Sequence, residues 1–162
     1  MNVSIYETDK SNASRAFELM RLAFNEQRGF VDPEPSIFRG DSIRSISSDL
    51  DKKEKRLIVA LHRSRLLGAV FCGADKNNPT EDFYFSHLAI RPRYRNNGVG
   101  RQLVEEIEST ARSEKAKRVT CAVRIALRQN VSLFEHLGYE IVGEGTHAGF
   151  DSPTYYNMAK VL

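Results

Sequence analysis

Apolar and polar residues alternate from Val3 to Glu7, a period of two that predicts a first strand. From Ser11, placed as a cap, the period lengthens to that of a helix carrying Phe17, Met20 and Phe24 on one face and ending near Gly29. Phe30 to Ser36 holds two prolines and reads as a loop. A second helix follows Asp41 or Ser42, with Ile43, Ile46 and Leu50 as its inner face, and the charged run Asp51 to Arg56 leads out of it. Leu57–Leu61 and Leu66–Cys72 are two strands joined by a turn at His62–Arg65, with Gly68 marking a bulge. After a surface loop over Asp75–Glu81 comes Phe83-Tyr84-Phe85-Ser86-His87-Leu88-Ala89-Ile90, rich in aromatic and β-branched residues and stopped by Pro92. Val99, Leu103, Ile107 and Ala111 then form the apolar stripe of a helix, with Glu105, Glu106, Glu108 and Arg112 largely off that line. Arg118–Val123 is a strand. Asn130 is placed to cap a last helix buried through Leu133, Phe134 and Leu137 and ended by a left-handed Gly138. Tyr139–Glu144 and Thr154–Val161 are the final strands. Strands and helices alternate and then end in an antiparallel pair, so the fold class is α/β with a mixed sheet in one domain over residues 1–162.

The turn between the central strand and its helix carries the chemistry. Arg91, Arg93, Arg95 and Arg101 crowd it, with no acid between Arg91 and Arg101. The first amides of a helix have no partner within it and sit at the positive end of its dipole. Gly98 and Gly100 let an oxyanion approach that backbone closely. The turn therefore suits a polyanion; a solvated basic loop before an ordinary helix start is the other reading. A dinucleotide fingerprint would need glycine where Leu103 stands, and a P-loop would need Lys-Ser/Thr where Arg101-Gln102 stand.

Composition narrows the class. The chain has 162 residues, 41% hydrophobic and 28% charged, with a net charge of +3. That is one globular domain, and its mild basicity does not argue for nucleic acid. Cys72 and Cys121 lie in apolar runs without metal or disulfide spacing, as buried thiols in a reducing compartment would. The opening residues lack a signal-peptide pattern, and no apolar run approaches the ~20 residues that span a bilayer. A cytoplasmic protein is expected.

Arg95-Asn96-Asn97-Gly98-Val99-Gly100, directly after a strand, fits the pattern Arg/Gln-x-x-Gly-x-Gly/Ala. It resembles the acetyl-CoA-binding motif of the GNAT acyltransferase superfamily. Leu88-Ala89-Ile90-x-Pro-x-Tyr-Arg before it looks like the same family, as does Asn130 followed by Leu133-Phe134-Glu135-His136-Leu137-Gly138-Tyr139. The resemblance covers most of the chain and is weakest in the N-terminal third. It implies a mixed, mostly antiparallel sheet of about six to seven strands, flanked by about four helices, with a central splayed pair.

The resemblance also implies a function: direct transfer of an acetyl group from acetyl-CoA to a primary amine of a small molecule or peptide. Leu88, Ala89 and Ile90 would pair with the pantetheine arm. Arg95, Asn96, Asn97, Gly98, Val99, Gly100 and Arg101 would hold the diphosphate, and Arg93 or Arg101 the adenosine phosphate. Asn130 would bond the cofactor and Phe134 would line its thiol end. A strand amide near Leu88 would meet the developing oxyanion. The family often carries tyrosine where Phe134 stands, so thiolate protonation falls to solvent, Tyr139 or Tyr156. It often carries glutamate near His87, whose imidazole titrates in the range of a base; a structural histidine is the alternative. His62, His136 and His147 have weaker claims. The acceptor wall would include Glu26, Asp32 and Glu34, or these are solvated loop acids, with Phe30, Tyr84 and Tyr155 as apolar lining. No metal is implied, and a homodimer is common in the family. A non-catalytic acyl-CoA-binding domain is the second reading. A nucleic-acid module ranks last, because the arginines crowd one turn rather than spreading along a face.

Overall fold

The computed structural model describes residues 1–162. The elements are β1 (Ser4–Thr8), α1 (Ala13–Phe24), α2 (Ile43–Asp51), β2 (Arg56–His62), β3 (Arg65–Ala74), β4 (Asp82–Ile90), α3 (Val99–Ser113), β5 (Arg118–Arg124), α4 (Arg128–His136), β6 (Glu140–Gly145) and β7 (Tyr155–Val161). Seven strands form one sheet in the order β1-β2-β3-β4-β5-β7-β6. Every neighbouring pair is antiparallel except β4 and β5. That parallel ladder has three rungs, Asp82↔Arg118, Phe83↔Val119 and Tyr84↔Thr120, and then the strands part. From Phe85 to Ile90 the β5-facing edge of β4 has no strand partner. The splayed central pair expected from the family resemblance is present.

Alternation along the strands sends side chains into two cores. On one face Ile58, Phe83, Phe85 and Val119 pack with Leu103 and Ile107 of α3. On the other, Val59, Phe71 and Ala89 pack with Ala16 and Met20 of α1 and Ile46 of α2. Val99, Leu103, Ile107 and Ala111 are all buried, as their spacing predicts.

Local chemistry departs from the sequence reading in several places. Asp9, not Ser11, opens the first helical segment: its side chain accepts from the Ser11 amide over a short 3-10 turn that precedes α1. Ser42 caps α2 in a reciprocal pair with Ser45, but Ile43 on that first turn is 41% exposed. Asn130 is not a cap. α4 starts two residues earlier at Arg128, and the Asn130 amide bonds the Leu127 carbonyl at 3.0 Å. Leu133 is 47% exposed, because Val131 and Phe134 set the buried face. Gly138 does end the helix in the left-handed region, at φ 95°.

Two buried acids are paired. Asp82, 5% exposed, accepts from Arg118 Nε at 2.9 Å and Nη2 at 2.7 Å, on the first rung of the splayed ladder. Glu108, assigned by pattern to the polar side of α3, is buried and accepts from Lys160 Nζ and from the Tyr139 hydroxyl, each at 3.1 Å. No helix is long and apolar enough to cross a membrane.

Candidate active site

Pro92–Tyr94 make one 3-10 turn after β4, and Asn96 (φ 63°) and Gly98 (φ 80°) both take the left-handed region before α3 begins at Val99. The first helical amide with a backbone acceptor is that of Gln102, bonded to Gly98 O at 3.0 Å. The amides of Asn96, Asn97, Gly98, Val99, Gly100 and Arg101 have no acceptor within the chain. Six successive free donors at the positive end of a long helix form a cradle for an anion. A Cβ at Gly100 would meet only Ile90, at 3.7 Å, so the space above the turn is open.

The arginines divide. Arg95 turns away from the cradle, its guanidinium bonding the Glu26 carboxylate and the Ala23 carbonyl (2.8 Å) at the end of α1. That pairing occupies Glu26, the residue assigned to the acceptor wall, at the end of α1. Arg101 pairs loosely with Glu105 at 3.1 Å, both well exposed, and stays available to a ligand. The Asn97 side chain braces the turn by bonding Tyr94 O and Arg95 O.

β4 bulges where it leaves β5. Its register with β3 passes from Ala69↔Ala89 to Phe71↔Ser86, so β4 holds one residue more than β3 across the gap. His87 has φ 58°, strained for a side chain of its size. Leu88 and Ile90 consequently face the α3 core and Ala89 the α1 core. His87 is clamped on the α1 side, edge-on to Phe71 at 5.6 Å. Its Nε2 lies 3.1 Å from Asp41 Oδ2 and 2.9 Å from Ser36 Oγ, and Ser36 in turn donates to Asp41. Its Nδ1 lies 3.0 Å from Ser86 Oγ. The set is satisfied by a proton on Nε2, leaving Nδ1 to accept from Ser86. The hydrogen bond from His87 holds the Asp41 carboxyl below its ordinary range.

Phe134, Phe85 and Tyr139 form an aromatic trio with ring centres 5.7–5.9 Å apart. Tyr139 is 1% exposed and its hydroxyl is held by Glu108. Burial, then the Glu108 charge, raise its pKa far above the ordinary tyrosine value. Its ring packs against Phe85 beside the splay, but its hydroxyl is already given to Glu108, which counts against the expectation that it delivers a proton there. Asn130 lies on the first turn of α4, partly exposed.

On the sheet face opposite α3, beyond the cover of α1, opens a cavity of about 620 Å³. Tyr84, Ser86, Ala122 and Tyr155 line it, with Arg124 and His147 at one end and Asp75 and Lys76 at the other. Burial pushes the Tyr84 hydroxyl up to about 12. The remaining acceptor-wall candidates fall outside this cavity. Glu34 is paired with Arg28 at 3.1 Å, and Phe30 is 66% exposed. Sequence reasoning missed Ser36, Asp41, Ser86 and Arg124. The one local signal was the polar pair Ser86-His87 inside an otherwise apolar strand.

Comparison with known proteins agrees with this geometry. Residues 16–139 match the model of the acetyltransferase (GNAT) family. The PaiA N-acetyltransferase from Thermoplasma acidophilum, solved in complex with coenzyme A, superposes with a TM-score of 0.81 at 16% identity, covering 100% of both chains. A GNAT-family acetyltransferase from Streptococcus pneumoniae gives 0.74 at 20% identity over 99% of this chain and 100% of that one. An aminoglycoside 6'-acetyltransferase type Ii gives 0.73 at 22% identity over 98% and 96%. No curated protein sequence matches significantly. The structural neighbours establish the shared fold, and the family match spans three-quarters of the sequence, including the glycine turn and the splayed strand: this chain belongs to the acetyltransferase (GNAT) family.

Proposed function

We propose that the protein transfers an acetyl group from acetyl-CoA directly to a primary amine of a small molecule or peptide. The observation that carries this reading is the run of six acceptor-free amides, Asn96 to Arg101, set beside the unpaired edge of β4. The amides suit a diphosphate. The bare edge from Leu88 to Ile90 suits the amides of a pantetheine arm, which would add to the sheet as an extended peptide does. Asn130, on the first turn of α4, would bond the same arm. Acetyl-CoA, when bound, supplies the activated acyl carbonyl.

The chain's own residues handle the proton. An alkylamine has a pKa of ~10.4 and is mostly protonated at neutral pH. Ser86 Oγ lines the acceptor cavity and touches His87 Nδ1, so a proton leaving the amine passes to His87 through Ser86 or a water beside it. Asp41 and Ser36 hold Nε2 and so fix the ring's orientation, with Nδ1 turned to Ser86. An amide of the bulged strand near Leu88 faces the developing oxyanion. Phe134 offers no proton and Tyr139 is held by Glu108, which leaves solvent or Tyr156 to protonate the departing thiolate.

The lack of a donor at Phe134 favours a second reading, a non-catalytic acyl-CoA-binding domain. Release of free thiol from acetyl-CoA across a panel of amines separates the two: turnover with any amine above the no-acceptor rate is the expected result, and tight binding without turnover would select the sensor. His87→Ala is expected to lower kcat about 10²-fold while changing acetyl-CoA affinity less than about twofold. Equal losses in both would remove His87 from the proton path.

A further inference from the structure

The acceptor cavity is asymmetric in charge. Arg124 ends β5 four residues beyond Thr120, the last residue of the parallel ladder, and so lies at the open end of the splay. It is partly buried there, and no carboxylate stands within ion-pair distance of its guanidinium. Among the acids of the preceding loops and helices, Glu34 is paired with Arg28 at 3.1 Å and Asp41 with His87 at 3.1 Å, and neither lines the cavity. Asp32 favours the Arg124 charge only from a distance, while burial and Arg39 oppose it. Burial, and after it the charges of Arg124 and Arg39, lower the pKa of His147 on the same rim.

The far end is different. Glu54, Lys55, Asp75 and Lys76 mix both signs, and the Asp75 oxygens already accept from the Asn77 amide and the Thr120 hydroxyl. Between the ends the lining is aromatic, through Phe71, Tyr84 and Tyr155. An unpaired guanidinium in a partly desolvated cleft is a site for a planar anion, which it can bind with two parallel hydrogen bonds. A polyamine or other polycation would meet Arg124 unscreened at one end, and at the other would find Glu54 and Asp75 flanked by Lys55 and Lys76.

We infer that the acceptor is an amino carboxylate with an apolar or aromatic body, held by its carboxylate on Arg124 with its amine directed to Ser86. This assignment rests on the transferase reading above and names the substrate class for the same site. Arg124 is a specificity residue; it acts on binding, whereas His87 and Ser86 act on the proton.

The test measures thiol release with matched sets. These are L-phenylalanine, L-phenylalaninamide and phenethylamine; L-methionine and L-methioninamide; and a series of β- and ω-amino acids, with spermidine and kanamycin as polycations. The free carboxylate is expected to exceed its amide in kcat/KM by more than about 30-fold for at least one set. Arg124→Gln is expected to raise KM for that acid about 30-fold with kcat within about threefold, while Arg124→Lys recovers part of the loss. Unchanged acetyl-CoA affinity reports that each variant is folded. Turnover confined to amides, monoamines or polycations, or a carboxylate preference that survives Arg124→Gln, overturns the assignment and leaves the transferase standing. Absence of both acetyl-CoA binding and turnover overturns the transferase reading itself.

Discussion

Gly100→Trp is expected to abolish measurable acetyl-CoA binding while leaving the domain folded. The two halves of that expectation have separate causes. A side chain at Gly100 meets only Ile90 Cγ1 and Cδ1, at 3.7 and 3.8 Å, which is ordinary contact, and glycine is itself a poor helix residue. The fold therefore tolerates the change. The indole, however, fills the space above the free amides of the turn. Excluding two charge-assisted hydrogen bonds, each worth about 2 kcal/mol, weakens binding about 10³-fold or more. Calorimetry with acetyl-CoA, alongside thermal unfolding, measures both. Wild-type affinity in a folded variant would overturn the cofactor assignment. Gly98 is the poorer choice for this test, because its φ of 80° strains any replacement and confounds folding with binding.

Asp82→Ala is expected to cost about 2 kcal/mol of stability, or roughly 4–8 °C in Tm. Asp82 is buried and holds Arg118 through two short hydrogen bonds on the first of only three rungs joining the halves of the sheet. Breaking a fully buried pair costs more, but the Arg118 side chain is 38% exposed and regains water when its partner is lost. The pair also gives the wild type a pH signature. The bond from Arg118 lowers the folded-state pKa of Asp82 below its unfolded value. Its stabilisation is thus complete above the unfolded pKa, near pH 4, and disappears as pH falls through the lower folded value. Chemical denaturation from pH 7 to pH 2 should show a smaller acid-induced loss in Asp82→Asn than in the wild type. Parallel losses would show that the pair does not set the acid limb.

Period and turn chemistry made most of the architecture legible. Leu103, Ile107 and Ala111 faced the sheet as their spacing required, and Pro92 and Gly138 ended their elements. What failed depends on partners distant in sequence. Glu108 looks solvated beside Glu105 and Glu106, yet Lys160, 52 residues later, makes its burial tolerable. Arg95 sits in the middle of the phosphate motif, but its guanidinium answers to Glu26 and Ala23, about 70 residues upstream. Asn130 is a good cap by type, and lost that place because the chain turns helical at Arg128 before reaching it. The inversion at His87 could not be read from a strand pattern at all. A one-residue bulge aims a side chain where alternation says it should not point. Ser36 and Asp41 became visible as its partners only once the first helices were folded against that bulge.

The grip of Arg95 on the end of α1 bears on the sequence of arrivals. The residue that opens the glycine turn also tethers the helix that carries Phe24 towards His87. One guanidinium thus spans from the glycine turn to the end of α1, so that the two mouths of the molecule share a strut. On the transferase reading proposed above, such a strut predicts that the donor is loaded first and the chamber for the nucleophile is completed afterwards, which would keep a reactive thioester from meeting water in a half-built pocket.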